Sequence, residues 1–495
     1  RLEVRAYDIA GNLSPYVTYY FYYDKTAPSV NITKPGNAYW YNNVNQIEGT
    51  ATDPNVGTFP SGMYHTYTAI QQNPPTGMWW DGSGFNSSNE VWLIDTNNSW
   101  PNWTLTGAST PTWTTNTLYR VKSQAYDISR NTSTIYSVDF VYDTQIPTIT
   151  VLTPEALITH YSSISWIVGT SADTNGLGSM DKVELRVKSF TNNQYWDWGS
   201  ANYTQANAEN AWFISQTTNN YANWISTGTP NTGGITFANG TQYEINFRAW
   251  DKATNFTTLY TTRTFVYDIG KPTGALTTVG GNGIVAYHSI INPINGTATD
   301  TPNTNSAGLD SLANGGSQIR ILDVDSNKWW NYTNNEFDIT DGNNGWFNAN
   351  TGTSGNWSYD NPQLNTKSVS GHRYLIQYRG KDKSNPANIG PSSNGTDSNF
   401  TVGKDSVTIT YDITPPISRV VGPIDGSTVN VVNYITGTAT DTISGISDRS
   451  QIFVSICEVQ PAGMCWNGLV PGTFTVAGEV FYPLDNDASL NGSYS

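Results

Sequence analysis

The sequence repeats itself at domain length, and this constrains the fold more than any other feature. A Tyr-Asp pair followed within a few residues by Pro occurs four times, with its acid at Asp24, Asp143, Asp268 and Asp412. The intervals are roughly 120 to 145 residues, the size of a compact domain and well above the ~20–50-residue unit of a solenoid. The sequence therefore predicts a tandem array of similar domains.

Two further landmarks keep the same phase. An early one, Gly-Thr-Ala-Thr-Asp or a close variant, ends at Asp53, Asp173, Asp300 and Asp441. A late one places an acid shortly before an asparagine, in the pairs Asp8 with Asn12, Asp127 with Asn131, Asp251 with Asn255, and Asp382 with Asn385. Three landmarks in constant order indicate one repeated unit and not a coincidence of composition.

The landmarks predict the domain boundaries. Residues 27–145, 146–270 and 271–414 are three whole domains, the third with longer insertions, and residues 1–26 are the C-terminal strands of a partial domain. Residues 415–495 are the N-terminal part of another. Either the sequence is a window on a longer array, which we favour, or neighbouring copies complete each other's split domains head to tail with exchanged strands.

The local pattern is that of strands. Short runs alternate apolar and polar residues with period two, as in residues 118–126 and 243–250, whereas helical periodicity is almost absent. About seven such runs per period predict an all-β protein of two-sheet antiparallel sandwiches. The Pro after each Tyr-Asp pair ends the last strand and stiffens the joint, so we expect an elongated, semi-rigid array.

These motifs resemble the bacterial and archaeal Ig-like repeat domains of large extracellular surface, adhesin or filament proteins. The resemblance is carried by the late landmark at residues 5–12, the Tyr-Asp segment at residues 23–28 and the early landmark at residues 49–53, and it extends to every repeat. The third repeat departs most, with Gly380 and Lys381 before Asp382. The resemblance implies Ig-like sandwiches that serve as stalks, adhesins, sheaths, filaments or spacers.

Composition limits the compartment and the partners. Only 13% of residues are charged and the net charge is −15, which disfavours nucleic acid and anionic membranes as partners because those interfaces need clustered Lys and Arg. No apolar run is long enough to insert into a bilayer. A polar, weakly charged β protein suits an extracellular, cell-surface location. Dense Asn-X-Ser/Thr sequons could carry glycans, but they also follow from the Asn- and Thr-rich composition.

The two cysteines, Cys457 and Cys465, flank a predicted hairpin turn in the last partial domain. A cross-strand disulfide is the favoured interpretation, with free thiols or a metal pair as alternatives. A disulfide would place the chain outside a reducing cytosol.

Tryptophan is unusually abundant, with 18 copies. Exposed Trp rings stack on sugars or anchor protein partners, so one hypothesis is an aromatic contact surface. The alternative, which we favour because the positions recur, is that these rings fill the sandwiches or make lateral contacts. The candidate residues are Trp79, Trp80, Trp196, Trp329 and Trp330.

The repeated acids raise the question of calcium. The early- and late-landmark aspartates could meet near domain junctions, where oxygen ligands bind Ca²⁺ and stiffen a joint. Asx turns explain single Asp residues as well. We therefore expect no cofactor, with calcium as the alternative.

The sequence shows no catalytic constellation. The four histidines lie in unrelated phases, which predicts surface residues and not bases or ligands. We therefore expect no enzyme. The favoured function is a structural component of an extracellular filament, stalk or sheath that contacts neighbouring copies of itself. The alternative is a glycan-binding adhesin, or an accessory module of a polysaccharide-active secreted protein.

Overall fold

The computed structural model describes residues 1–54, 59–173, 180–217, 219–226, 234–391, 400–432, 434–446, 448–459, 463–467, 474–483 and 493–494. The chain divides into two compact units. The first comprises residues 1–158, 164–237 and 242–265, and the second comprises residues 159–163, 238–241 and 266–495. Nearly all regular structure is β, which confirms the predicted all-β fold.

The first unit begins with an isolated two-stranded hairpin and continues into a pair of sheets. The strands are β1 (Leu2–Val4), β2 (Val17–Tyr19), β3 (Ser29–Lys34), β4 (Tyr39–Tyr41), β5 (Gln46–Thr52), β6 (Met63–Gln72), β7 (Trp79–Trp80), β8 (Phe85–Ser87), β9 (Leu93–Ile94), β10 (Asn97–Ser99), β11 (Asn102–Thr106), β12 (Thr117–Asp127) and β13 (Tyr136–Tyr142). The smaller sheet has the order β10-β11-β5-β3, and the larger has the order β4-β13-β12-β6-β7-β8, with β9 beside β6.

The next repeat has the same plan. Its strands are β14 (Thr148–Thr153), β15 (His160–Tyr161), β16 (Ile167–Ala172), β17 (Met180–Ser189), β18 (Gln194–Asp197), β19 (Asn202–Gln205), β20 (Phe213–Ile214), β21 (Asn223–Ser226), β22 (Thr241–Asp251) and β23 (Thr261–Tyr267). Strands β14-β16-β21 form the smaller sheet. Strands β23-β22-β17-β18-β19 run through the larger one, and β20 pairs with β17.

The third repeat lies in the second unit and carries the only α-helix of the described residues, α1 (Gln363–Lys367). Its strands are β24 (Thr273–Val279), β25 (Asn282–Gly283), β26 (Tyr287–His288), β27 (Ile294–Thr299), β28 (Ser317–Asp323), β29 (Lys328–Asn331), β30 (Glu336–Ile339), β31 (Phe347–Asn348), β32 (Thr351–Gly352), β33 (Asn356–Tyr359), β34 (Arg373–Lys381), β35 (Ile389–Gly390) and β36 (Ser406–Tyr411). The two sheets have the orders β25-β24-β27-β33-β32 and β26-β36-β34-β28-β29-β30.

The last part of the chain forms three small sheets. Its strands are β37 (Ile417–Gly422), β38 (Thr436–Thr440), β39 (Phe453–Val454), β40 (Met464–Trp466), β41 (Phe474–Ala477), β42 (Tyr482–Pro483) and β43 (Ser493–Tyr494). The pairings are β37-β38-β43, β39-β42 and β40-β41. Short 3₁₀ helices occur along the described chain at Gly107–Ser109, Glu209–Ala211, Leu312–Asn314, Gly342–Gly345 and Arg449–Gln451.

Each complete repeat buries one face of both sheets against the other. In the third repeat, Ile294 and Trp357 of the smaller sheet share a core with Ile319, Ile376 and Ile409 of the larger one. The burial pattern follows sequence alternation, since every second residue of β5 is buried and the residues between them are half-buried. These repeats are therefore two-sheet sandwiches, as the alternation predicted.

Candidate cation sites at the domain junctions

Three clusters of three aspartates recur at the same place in successive repeats. In each cluster the three residues offer carboxylate oxygens that all lie within 4.8 Å of one another. Each cluster combines the acid of a Tyr-Asp pair with the early- and late-landmark acids of the repeat that follows it. The clusters are Asp24, Asp53 and Asp127; Asp143, Asp173 and Asp251; and Asp268, Asp300 and Asp382.

The ends of three strands bring the third cluster together. Asp268 follows β23, Asp300 follows β27 and Asp382 follows β34. Alternate residues of β27 are buried, beginning with Ile294. Asp300 follows the last residue of this strand and belongs to the cluster. The position of each landmark acid is therefore set by the end of a strand, although the sequence distances between the acids vary from one repeat to the next.

Backbone amides hold two of these carboxylates in place. Asp268 Oδ1 accepts a hydrogen bond from the amide of Gly270 at 2.9 Å, and its Oδ2 accepts one from the amide of Ala307 at 2.7 Å. Asp382 Oδ1 accepts from the backbone amide of Asn388 at 2.7 Å, and its Oδ2 accepts from the Ser384 hydroxyl at 2.8 Å. Asp268 and Asp382 are fully buried. The cluster is thus fixed before any ligand arrives.

Asp300 is the least satisfied member of the cluster. It is 7% exposed, and its Oδ1 accepts from the amide of Thr301 at 2.9 Å. Its Oδ2 is buried and has no hydrogen-bond partner among the described residues. Burial, reinforced by the charges of Asp268 and Asp382, raises the pKa of Asp300 to about 6. A buried carboxylate oxygen with no protein donor is a group that a bound cation would satisfy.

An asparagine clamps each cluster. Asn388 donates from Nδ2 to Asp382 Oδ2 at 2.7 Å and to the backbone carbonyl of Asp268 at 2.9 Å. Asn131 and Asn255 make the equivalent pairs of bonds in the earlier repeats. The clamp therefore joins the late landmark of one repeat to the Tyr-Asp carbonyl that precedes it.

The sequence prediction chose the wrong asparagine in the third repeat. Asn385 was expected to partner Asp382, but its side chain is exposed and the bonds come from Asn388. The late-landmark loop is longer here, because Asp382 and Asn388 are six residues apart and the earlier pairs are four apart. A spacing rule taken from the other repeats could not detect this insertion.

The first two clusters share the electrostatic signature. Burial, with the charges of Asp24 and Asp127, raises the pKa of Asp53. Burial, with the charges of Asp143 and Asp173, raises the pKa of Asp251 to about 6. Ionising all three carboxylates of such a cluster is unfavourable unless a cation balances them.

The donor chemistry fits a hard divalent cation. Ca²⁺ and Mg²⁺ take oxygen ligands, and Ca²⁺ accepts six to eight of them in flexible geometry. Each of the three residues offers one carboxylate oxygen to the cluster, and Asp300 Oδ2 has no hydrogen-bond partner among the described residues. The donor set fits a calcium ion that Asp268, Asp300 and Asp382 would hold.

A partial version occurs at the fourth Tyr-Asp pair. The amide of Ser444 donates to Asp412 Oδ2 at 3.2 Å and to Asp441 Oδ1 at 2.8 Å. The late-landmark pair near the start of the chain, Asp8 and Asn12, is exposed and makes the same internal bonds as its counterparts.

All five candidate tryptophans are buried, so they do not form the exposed aromatic contact surface of the first hypothesis and instead agree with the favoured interpretation, in which the rings fill the sandwiches. Trp196 and Trp330 are at most 1% exposed, and the others are 8% exposed. Trp80, Trp196 and Trp330 belong to the cores of their repeats; Trp330 donates to the Tyr359 hydroxyl at 2.9 Å. The rings that face the other way are covered by cations: Lys122 lies 4.9 Å from Trp79, and Arg320 lies 4.3 Å from Trp329. A Trp-Trp doublet in a strand sends its rings to opposite faces, and sequence alone does not show that both faces are covered.

Two other candidates can be placed. Cys457 and Cys465 face each other as a cross-strand bridge and form a disulfide.

The prediction that every histidine is a surface residue is wrong for His288, which is 3% exposed. In the described part of the chain, no helix has the length and apolar character needed to cross a membrane.

No family model and no curated protein matches the chain. Among solved structures, it is similar to a tetra-tandem repeat in the extending region of a large adhesion protein, with 14% identity, a TM-score of 0.27, and coverage of 94% of this chain and 89% of that one. A second similar structure concerns host cell surface retention of a 1.5-MDa bacterial ice-binding adhesin (9% identity, TM-score 0.29, 79% and 99% covered). A third is Drosophila N-cadherin EC1-4 (10% identity, TM-score 0.22, 80% and 94% covered).

Proposed function

We propose that the chain is a structural component of an extracellular cell-surface filament, stalk or sheath, whose sandwich repeats are joined by bound calcium ions. The observation that carries the proposal is the recurrence of one three-carboxylate cluster at three successive Tyr-Asp joints. A single acidic cluster is common on protein surfaces. Three equivalent ones, each built from the end of one repeat and two strand ends of the next, support a shared mechanical role.

Calcium would act on the joint itself. The Tyr-Asp segment ends one sandwich, and its acid contributes to the cluster formed by the next. A cation held by Asp268, Asp300 and Asp382 would tie this segment to the following sandwich and remove the repulsion among the three charges. Bending at the joint would then require breaking cation–oxygen contacts, so the array would resist flexing.

We also propose self-association through unpaired strands. In the first complete repeat, Val121 of β12 and Phe140 of β13 are fully buried. At the corresponding positions near the start of the chain, Leu2 is 52% exposed and Phe21 is 61% exposed. An apolar hairpin of this kind would pair with the early strands of another repeat, supplied by adjoining sequence in a longer array or, for the self-association proposed here, by a neighbouring copy.

The test of the cation-joined array uses the 495-residue chain in metal-free buffer, with CaCl₂ added stepwise. Isothermal titration calorimetry is expected to show about three equivalent sites per chain, and small-angle X-ray scattering a rise in the largest dimension as they fill. MgCl₂ and NaCl at matched ionic strength are the controls. Absence of calcium binding would contradict the cation joints. Absence of ordered fibres in negative-stain images at high protein concentration would contradict self-association. It would not contradict the proposal that calcium joins the repeats.

A glycan-binding role needs a surface other than the one predicted for it, because the five candidate tryptophans are buried. The proposed function is mechanical and does not require a catalytic group.

A further inference from the structure

The third repeat contains a cavity of about 510 Å³ that the structural role does not use. Its floor comes from β31 and the end of β33, and Tyr332 stands at its rim in the turn after β29. The volume falls within the ~300–1,000 Å³ range of small-molecule sites. The described residues that line it are Gln318, Tyr332, Trp346, Phe347, Asn348, Ala349, Asn350, Tyr359 and Asn361.

The lining has a specific chemical character. These nine residues carry no charged side chain; four are amides and four are aromatic. Phe347 and Tyr359 are buried and lie 4.6 Å apart at their ring centroids, which makes an apolar floor. Tyr332 is 56% exposed and so presents its ring at the opening. The guanidinium groups of Arg320 and Arg379 lie 4.8 and 4.4 Å from the ring of Trp346 but do not line the cavity, so the polar groups that a ligand meets are amides and tyrosine hydroxyls, which suit a neutral polar ligand.

Of the four amides, Asn350 is held in place and retains bonding capacity. Asn350 exchanges two hydrogen bonds with the backbone of Asp360, at 2.8 and 2.9 Å, which fixes its orientation. Each of its polar atoms can make one more bond, since an amide offers two donors and two acceptor lone pairs. The Nε1 of Trp346, a residue 7% exposed, is buried and has no acceptor among the described residues.

The equivalent place in the preceding repeat is filled. There Trp198 occupies the position of Tyr332, two residues after the core tryptophan, and Phe213 occupies that of Phe347. Trp198 stacks on Phe213 with ring centroids 3.9 Å apart, and its Nε1 donates to the carbonyl of Ala211 at 3.0 Å. In the third repeat, Tyr332 and Phe347 are 5.8 Å apart and tilted. The two repeats therefore differ at this place, because the ring stack of the second repeat is opened in the third.

We propose that this cavity binds a neutral saccharide. Sugar rings pair an apolar C–H face, which stacks on aromatic rings such as Tyr332, with hydroxyl groups that bond to fixed amides such as Asn350. The uncharged lining matches a neutral hexose or N-acetylhexosamine unit. None of the residues that line the cavity belongs to the Asp268–Asp300–Asp382 cluster.

The test is an array of neutral and acidic oligosaccharides probed with the whole 495-residue chain, followed by calorimetry with the strongest neutral ligand. We expect neutral glycans to bind, and Tyr332→Ala to weaken the affinity at least tenfold with an unchanged melting temperature. Tyr287→Ala, at a tyrosine of the same repeat that is 46% exposed, is the control and should bind like the parent. The proposal is overturned if no neutral glycan binds, if only acidic glycans bind, or if Tyr332→Ala binds as tightly as Tyr287→Ala.

Discussion

The indole of Trp357 lies against the α-carbon of Gly296, its direct partner on the neighbouring strand. A methyl group on Gly296 would overlap Cζ2 of Trp357 and crowd the carbonyl of Ala275. Gly49 with Trp103 and Gly169 with Trp224 repeat the arrangement. The glycine of the early landmark therefore leaves the space that a core tryptophan ring occupies, and this explains why the two residues recur together.

This contact predicts that Gly296→Ala destabilises the third repeat by about 1–3 kcal/mol, the usual cost of overpacking a core. The measurement is the free energy of unfolding of the chain in urea, followed by tryptophan fluorescence. Gly283→Ala is the matched control, since a Cβ there meets nothing within 4 Å, and it should change stability by less than about 0.5 kcal/mol. Equal changes in the free energy of unfolding for the two substitutions would show that Trp357 does not pack against Gly296.

The clamp at the third joint gives a second prediction. Asn388→Ala removes the donors to Asp382 Oδ2 and to the Asp268 carbonyl, both buried acceptors, so a loss of about 1–3 kcal/mol is expected. Asn385→Ala is expected to be neutral, because the Asn385 side chain is exposed and only its backbone makes a hydrogen bond among the described residues. Thermal unfolding of the two variants compares them directly. A greater loss for Asn385→Ala would restore the spacing rule that the sequence suggested.

The sequence predicted what depends on periodicity. Alternation in residues 118–126 predicted that residues such as Val121 and Ala125 face inward, and the repeat phase predicted that the acids lie near the joints. It did not predict contacts between facing strands, such as Trp357 on Gly296, because they depend on which residues the register brings opposite each other. It also did not predict that Trp198 stacks on Phe213 in the second repeat while a cavity is open at the equivalent place in the third. This difference depends on the size of one side chain, Trp198 or Tyr332.

The third prediction concerns Asp300→Asn, whose effect on stability should depend on calcium. Without metal the variant should melt at a higher temperature than the parent, because a neutral amide relieves the repulsion from Asp268 and Asp382 and keeps the bond from the Thr301 amide. With saturating calcium the order should reverse, since one ligand is lost. Differential scanning calorimetry in the two buffers measures both signs, with exposed Asp425→Asn as the control that should follow the parent. A variant less stable than the parent in both buffers would contradict the cluster as a cation site.

The pH dependence is the fourth prediction, and its sign follows from the raised pKa values of Asp251 and Asp300, both about 6. These carboxyls hold their protons more tightly when folded than when unfolded, where the pKa is near 3.8. The folded chain therefore binds more protons between pH 4 and 6, and without metal its stability should fall as the pH rises through this window and level off above it. Calcium binds only the ionised carboxylates, so its affinity should weaken below pH 6 and its stabilising effect should be largest above that pH.

The measurement is the melting temperature from pH 4 to 8 with and without calcium. Because Asp95, whose pKa burial also raises to about 6, contributes equally to both series, the difference between the two curves isolates the clusters. A difference that does not change between pH 4 and 8 would place any calcium response outside these carboxylates.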